Sequence, residues 1–214
     1  MVTKTYDRQT AKFLAVLGEN MPEVSSDIMQ EWIENPKALQ AVLRNVLCSV
    51  DMTATLQTQL SAWRSLKIGT HKSMQNLLRA LVGNGVRISD RAINMFKKVP
   101  VAREATEIEL VKLSVDQFGF PQGATREQIY ERALGLGLDF IPAEAGPQLR
   151  LQYNGQPMGE WLFMGMEPIV DGAGIPRVFY VERDVDGAWL DTDSGESHRF
   201  WYSGYQWVFG RRRS

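Results

Sequence analysis

Between Leu190 and Trp207 the chain carries no Leu, Ile, Val, Met, Ala, Pro or Lys, and its side chains there suit binding better than packing. Asp191, Asp193, Ser194, Glu196, His198, Arg199, Phe200, Tyr202 and Tyr205 supply carboxylates, a hydroxyl, an imidazole, a guanidinium and aromatic rings. Rigid Tyr and Trp contact area beside adaptable Ser and Gly is the mixture that antibody paratopes use. These nine residues are the expected ligand-binding set, with Tyr and Arg as its hot-spot types. Trp189, Trp201, Trp207 and Phe209 flank or interrupt the set and are expected to be its buried frame.

No reaction chemistry is specified by comparable spacing. His71 and His198 are the only histidines and Cys48 the only cysteine, so no metal-ligand set is expected. Asp184-Val185-Asp186-Gly187 and Asp191-Thr192-Asp193 look superficially like calcium loops, but the place of the closing bidentate Glu counted from Asp191 is taken by Tyr202. The glycines at 83, 85, 135 and 137 fall where helices end, and they fit neither a Walker loop nor a dinucleotide fingerprint. No Gly-x-Ser-x-Gly elbow occurs, and Cys48 reads as a core thiol rather than a nucleophile paired with His71. Nothing singles out two carboxylates for glycoside chemistry. The expectation is a protein that is not an enzyme and uses no cofactor and no metal.

The 214 residues are 44% hydrophobic and 23% charged, with a net charge of -1, as in ordinary folded chains. That balance supplies no global attraction to nucleic acid or anionic membrane. The early apolar run Phe13-Leu14-Ala15-Val16-Leu17 is too short for a membrane span or a signal-peptide core. One cysteine leaves no intrachain disulfide, and a cytoplasmic location is expected.

The elements that must position the binding set divide the chain into three expected units, 1–61, 62–147 and 148–214. The first is helical. Residues 11–17 carry an apolar cluster, Ser26 is placed to cap a helix over 27–34, and Asn35-Pro36 opens another with Leu39, Val42, Leu43, Val46 and Leu47 at helical spacing. Residues 49–61 read as weak helix or linker. In the middle unit 63–68 is a short strand, and Ser73 and Ser89 cap helices that carry Leu77, Leu78 and Leu81, then Ala92, Ile93 and Phe96. Residues 107–113 form a strand, and Thr125 with Gln128 makes a capping box for a third helix. From about Leu149 the chain reads as strands: 161–166, 178–182, a hairpin at Asp186-Gly187 into 188–190, and a closing strand 207–209 before Arg211-Arg212-Arg213. The class is α+β: a helical N-terminal unit, a small α/β, winged-helix-like middle and an antiparallel Trp-rich β-module.

The winged-helix outline over 107–153 supports an alternative function, a nucleic-acid-binding regulator whose recognition helix starts at Thr125. Its Arg126, Arg132 and Arg150 are outnumbered by Asp116, Glu127, Glu131, Asp139 and Glu144, so this reading ranks second. The three terminal arginines read as a solvated tail.

Several runs resemble a protein family abundant in uncultivated bacterial lineages. They are Gly146-Pro147-Gln148-Leu149-Arg150-Leu151-Gln152-Tyr153, Gln156-Pro157, Gly159-Glu160-Trp161, Met166-Glu167-Pro168-Ile169, Gly123 to Tyr130, and Asp186 to Leu190. Members often end in a Trp, an Asn/Asp/Pro-rich stretch, a second Trp or Phe, Val-Phe and a basic tail, as Trp201 and Trp207-Val208-Phe209 before Arg211 do here. The resemblance runs from about Trp63 to the C-terminus and implies no activity. At the positions of Asp191, Asp193, Glu196, Arg199, Tyr202 and Tyr205 the family often has Asn, and changes at the adenines of an Asn codon yield Asp, Ser, Gly, Tyr, His and Thr. In this the segment is similar to the variable regions of diversity-generating-retroelement target proteins, which usually carry a C-type-lectin-like fold and vary a ligand-binding face. The resemblance implies a binding protein that presents 191–206 to a macromolecular ligand, protein or other, with no membrane and no nucleic acid required.

Overall fold

A computed structural model describes residue 12, residues 25–37, residue 39 and residues 60–212. The chain divides into two compact units, Met1–Leu56 and Gln57–Ser214. In the first, helix α1 spans Ser26–Glu34. Its cap is Ser25 rather than the expected Ser26, and Ser25 makes no side-chain capping bond. The readings for 11–17 (Lys12 apart), for most of the helix after Pro36, for Cys48 and for 49–59 lie outside the described residues.

The second unit is a mixed α/β structure built on a large curled sheet. Its strands are β1 (Arg64–Ile68), β2 (Arg87–Ile88), β3 (Thr106–Ser114), β5 (Leu138–Asp139), β6 (Trp161–Met164), β7 (Ile169–Val170), β8 (Pro176–Asp184), β9 (Gly187–Ser194) and β11 (Gln206–Arg211). Their order is β1-β3-β11-β6-β8-β9-β2, with β5 paired to β11 and β7 to β8. A two-stranded ribbon joins β4 (Ala124–Thr125) to β10 (Phe200–Trp201). The expected boundary between 62–147 and 148–214 does not separate two sheets. Strand β3, the supposed strand of a winged helix, lies between β1 and the C-terminal β11, because Val111 and Leu113 match the buried Phe209 and Trp207 in register. The sheet is also not wholly antiparallel: β11 runs parallel to β6, and β2 parallel to β9.

Four helices cover this sheet: α2 (Met74–Gly83), α3 (Asp90–Phe96), α4 (Arg126–Gly135) and α5 (Ala145–Gln152). Local chemistry starts three of them as expected. Ser73 accepts from Asn76 N, Ser89 from Ala92 N, and Thr125 and Gln128 close the capping box. Helix α5 falls where strands were expected to begin. Pro147 is tolerated because it lies in the first turn, where backbone N–H groups have no helical acceptor. Gly146 is needed because a Cβ there would meet Phe179 Cβ at 2.9 Å, so α5 sits directly on β8.

Side-chain alternation sorts the helices onto two faces. On one face Phe179 meets Phe96 of α3 and Gly146 of α5. On the other, Tyr130 of α4 stands edge-on to Trp207 and Phe209 at 5.6 and 5.7 Å. Gly165, just past β6, packs so closely on Phe209 that a Cβ would enter its ring.

Two buried polar clusters fasten the loops. Glu144, 1% exposed, accepts from the backbone N–H groups of Gly69 and Ala102 and from Gln148 Nε2, each at 2.8 Å. Arg150, 2% exposed, donates to Gln156 Oε1, to Glu182 O at 3.1 Å and to Tyr153 O at 2.6 Å. Gln156 in turn donates to Glu160 O and Val181 O. Among the described residues no helix is long and apolar enough to cross a membrane.

Removing the Glu144 carboxylate strands two half-buried backbone donors, each worth about 1–3 kcal/mol. Glu144→Ala is therefore expected to lower unfolding free energy by roughly 2–4 kcal/mol in urea titration and to speed hydrogen exchange at Gly69 and Ala102. Unchanged exchange at those two amides would contradict this role.

Candidate binding surface

The nine expected binding residues do not form one loop. Asp191, Asp193 and Ser194 belong to β9, Phe200 to β10, and Glu196, His198 and Arg199 join the two. Pairing of β8 with β9 sets Tyr180 opposite Asp191 and Glu182 opposite Trp189, so Asp191 and Asp193 share the face of Tyr180 and Glu182. Their period-2 placement was obscured in the sequence because this strand face is polar rather than apolar.

The set divides by what its polar groups already hold. Asp191 accepts from the Ser89 hydroxyl and, at 3.3 Å, from Tyr180 OH, so it ties β8 and β9 to the start of α3. Asp193 accepts from Ser194 N at 2.6 Å and lies 3.8 Å from the Arg199 guanidinium, which also covers the Trp201 ring. Ser194 exchanges hydrogen bonds with Glu196, and Glu196 lies 3.7 Å from His198. These half-buried groups hold the turn. Arg199, His198, Phe200, Tyr202 and Tyr205 are the members that reach solvent.

The aromatic frame sits beneath them. Trp201, Trp207 and Phe209 are buried, with Trp201 against Phe163 at 4.4 Å and against Trp207 at 5.0 Å. Trp189, expected in the frame, is instead half-exposed. Its indole N–H donates to Asp184 Oδ1 at 3.1 Å and the Arg87 guanidinium covers its ring. Tyr205 leans on Phe163 and Trp201 at 5.5 and 5.6 Å, and Tyr202 stacks 6.4 Å from Tyr205 while remaining 69% exposed. Phe200 packs edge-on against Tyr202 and lies over Gly123.

Beside Tyr202 and Tyr205 opens a cleft of about 530 Å³, completed by Met158, Glu160, Trp161 and Gln206. Sequence reasoning missed this half of the surface. Trp161 begins an apolar run that reads as core, yet it lies at the strand's open end, stacked 5.0 Å from Tyr180 at an interplanar angle of 9°. Met158 and Trp161 are both exposed. Farther along the same sheet face, partial burial and the nearby Asp184 and Asp191 hold the Glu182 carboxyl above the usual Glu range. Burial, with Asp191, Glu182 and Asp193 nearby, pushes the Tyr180 phenol up. The face therefore combines aromatic rings with acids that repel one another. Among the described residues no cluster of His, Cys, Asp and Glu is arranged to hold a metal ion.

Comparison with protein-family models, with curated proteins and with solved structures finds no match to this chain.

Depth separates the frame from the contacts energetically. Trp201→Ala is expected to cost roughly 3–5 kcal/mol, whereas Tyr202→Ala stays within about 0.5 kcal/mol in urea unfolding. Equal losses would place Tyr202 in the core. Because the folded Glu182 pKa lies above its unfolded value, the carboxyl's favourable contribution is complete in acid and lost as pH rises through the folded pKa. Glu182→Gln should accordingly raise Tm at pH 7, and the gain should vanish below about pH 4.

Proposed function

We propose that this chain is a non-enzymatic binding protein that presents its 191–206 segment, together with the adjoining cleft, to a macromolecular ligand. The observation that carries the reading is the exposure of Tyr202, Tyr205, Trp161 and Met158 around one cleft, with Phe200 exposed against Tyr202, above a buried tryptophan frame. Exposed aromatics on rigid elements lose little entropy on binding and supply the anchor types that dominate interfaces. Arg199 and His198 give the rim charged hydrogen-bonding capacity, with side chains 50% and 80% exposed.

The likeness to diversified target proteins supports a variable surface. Arg199, Tyr202 and Tyr205 reach solvent, Tyr202 clear of the core and the other two resting on the buried Trp201, whereas Asp191 is bonded to Ser89 and Tyr180. Variation is therefore expected to be densest at 199, 202 and 205. A nucleic-acid reading is weaker. Helix α4 turns Glu127 and Glu131 outward, while Arg126 covers the Tyr130 ring and Arg132 donates to Phe118 O.

Photo-crosslinking in the native host tests this reading, with a photoreactive residue at position 202, at 205, or at the exposed Leu134 of α4. Adducts to a discrete macromolecule are expected from 202 and 205 and not from 134. Equal adducts from all three positions would overturn it. Sequencing of natural alleles tests the variable-surface part: substitutions at codon adenines should concentrate at 199, 202 and 205, and an even spread along the gene would refute diversification.

A further inference from the structure

A second concavity, of about 350 Å³, lies between the end of α2, the end of α5 and the β8–β9 hairpin. Arg150, Arg183, Asn84 and Asn154 line it with the backbone of Gly85 and Gly187, and no Asp or Glu is among its lining residues. None of the expected binding residues belongs to it. Its size falls within the range of small-molecule sites, roughly 300–1,000 Å³.

The two guanidiniums are the informative groups. Arg150 is 2% exposed, and among the described residues none of its hydrogen bonds goes to a carboxylate: its acceptors are an amide oxygen and two backbone carbonyls. Its Nε is buried without a hydrogen-bond partner. Burial first, and the like charge of Arg183 second, push the Arg150 guanidinium down to about 10. Arg183 donates Nη1 to Asn154 O at 3.0 Å, again a neutral acceptor. The two acids beside it in the chain leave the other face of β8: Glu182 lies opposite Trp189, and Asp184 accepts from Asp186 N and from the Trp189 indole.

Two helix ends border the site, and their C-terminal dipoles oppose an anion by roughly half a charge each. On α2 those carbonyls are already capped by the Asn84, Gly85 and Val86 N–H groups, and on α5 Arg150 itself covers Tyr153 O. Two full positive charges outweigh that residue. A phosphate monoester carries up to two negative charges and three free oxygens, enough to meet the Arg183 fork together with the Nε and second Nη2 hydrogen that Arg150 has left over, whereas a carboxylate fills one fork.

We propose that this pocket binds a phosphate monoester of a small molecule, with Arg150 and Arg183 on the phosphate and the remaining volume taken by its organic part. The site is separate from the aromatic cleft and does not depend on its function.

The test is calorimetric titration of the full-length protein at low ionic strength with phenyl phosphate, inorganic phosphate and acetate. Saturable binding of phenyl phosphate, displaced by inorganic phosphate and unaffected by acetate at matched ionic strength, is expected. Arg183→Gln, which removes the more exposed guanidinium, should weaken it at least about 10-fold, the scale of one lost charged hydrogen bond. Asn154→Asp, an isosteric change on the exposed rim, adds a repelling charge and should do the same, so the test survives if Arg183→Gln fails to fold. Tyr202→Ala should leave binding unchanged. Absence of saturable binding at millimolar ligand, equal response to acetate, or wild-type affinity in Asn154→Asp would overturn the proposal.

Discussion

The fold depends on placing its last strand in the middle of its sheet. Strand β11 pairs with β3 on one side and β6 on the other, and Trp207, Val208 and Phe209 are wholly buried there. Without β11, the paired β1 and β3 have no hydrogen-bonded route to β6, β8 and β9. The contacts that unite the sheet therefore join residues about 100 apart in sequence, such as Val111 and Phe209, and cannot form until nearly the whole chain is present. Gly165 is the packing counterpart of this insertion, since only a residue without Cβ lets the Phe209 ring approach the end of β6.

That constraint bears on recognition. The segment 191–206 begins in β9 and ends where β11 enters the sheet, so both of its ends are fixed to buried strands. Between them β10 pairs with β4, and Trp201 stands on Phe163 and Trp207. Only short turns separate these anchors. A surface held in this way keeps its shape while its outermost side chains change, because their loss removes little buried area. The arrangement also sets a limit: Asp191 and Ser194 serve the scaffold through their hydrogen bonds and are poor places for free variation.

Much of the local structure was legible because its signals are local. The Ser73, Ser89 and Thr125 caps, the Gln128 capping box and the Asp186-Gly187 hairpin each require residues only a few positions apart. The pairing was not legible. Two-residue strands such as β2, β4 and β5 carry no periodicity, and they exist because Leu190, Trp201 and Gly210 on distant strands present partners to them. Helix α5 was hidden by Gly146 and Pro147, which depress helix propensity and are here required by the approach to Phe179 and permitted by the first turn. At the binding surface the exposed aromatics were readable from composition. Trp161 was not, since an aromatic at the start of an apolar strand looks the same whether it faces core or solvent.

Strand alternation links the two sites on β8. Glu182 and Arg183 are neighbours whose side chains leave opposite faces of the sheet, one toward Asp184, Asp191 and Trp189, the other toward the pocket behind α5. Arg150 crosses this division by donating to the carbonyl of Glu182, so the backbone separating the acidic face from the basic pocket is held by a buried cation. Opposite charges on adjacent residues are thus kept from neutralising one another, and each face retains a field of its own sign. A hairpin of alternating charge would lose that polarity if it were exposed on both sides. Here helix α5 covers one side and desolvates Arg150, which strengthens every interaction that its guanidinium makes.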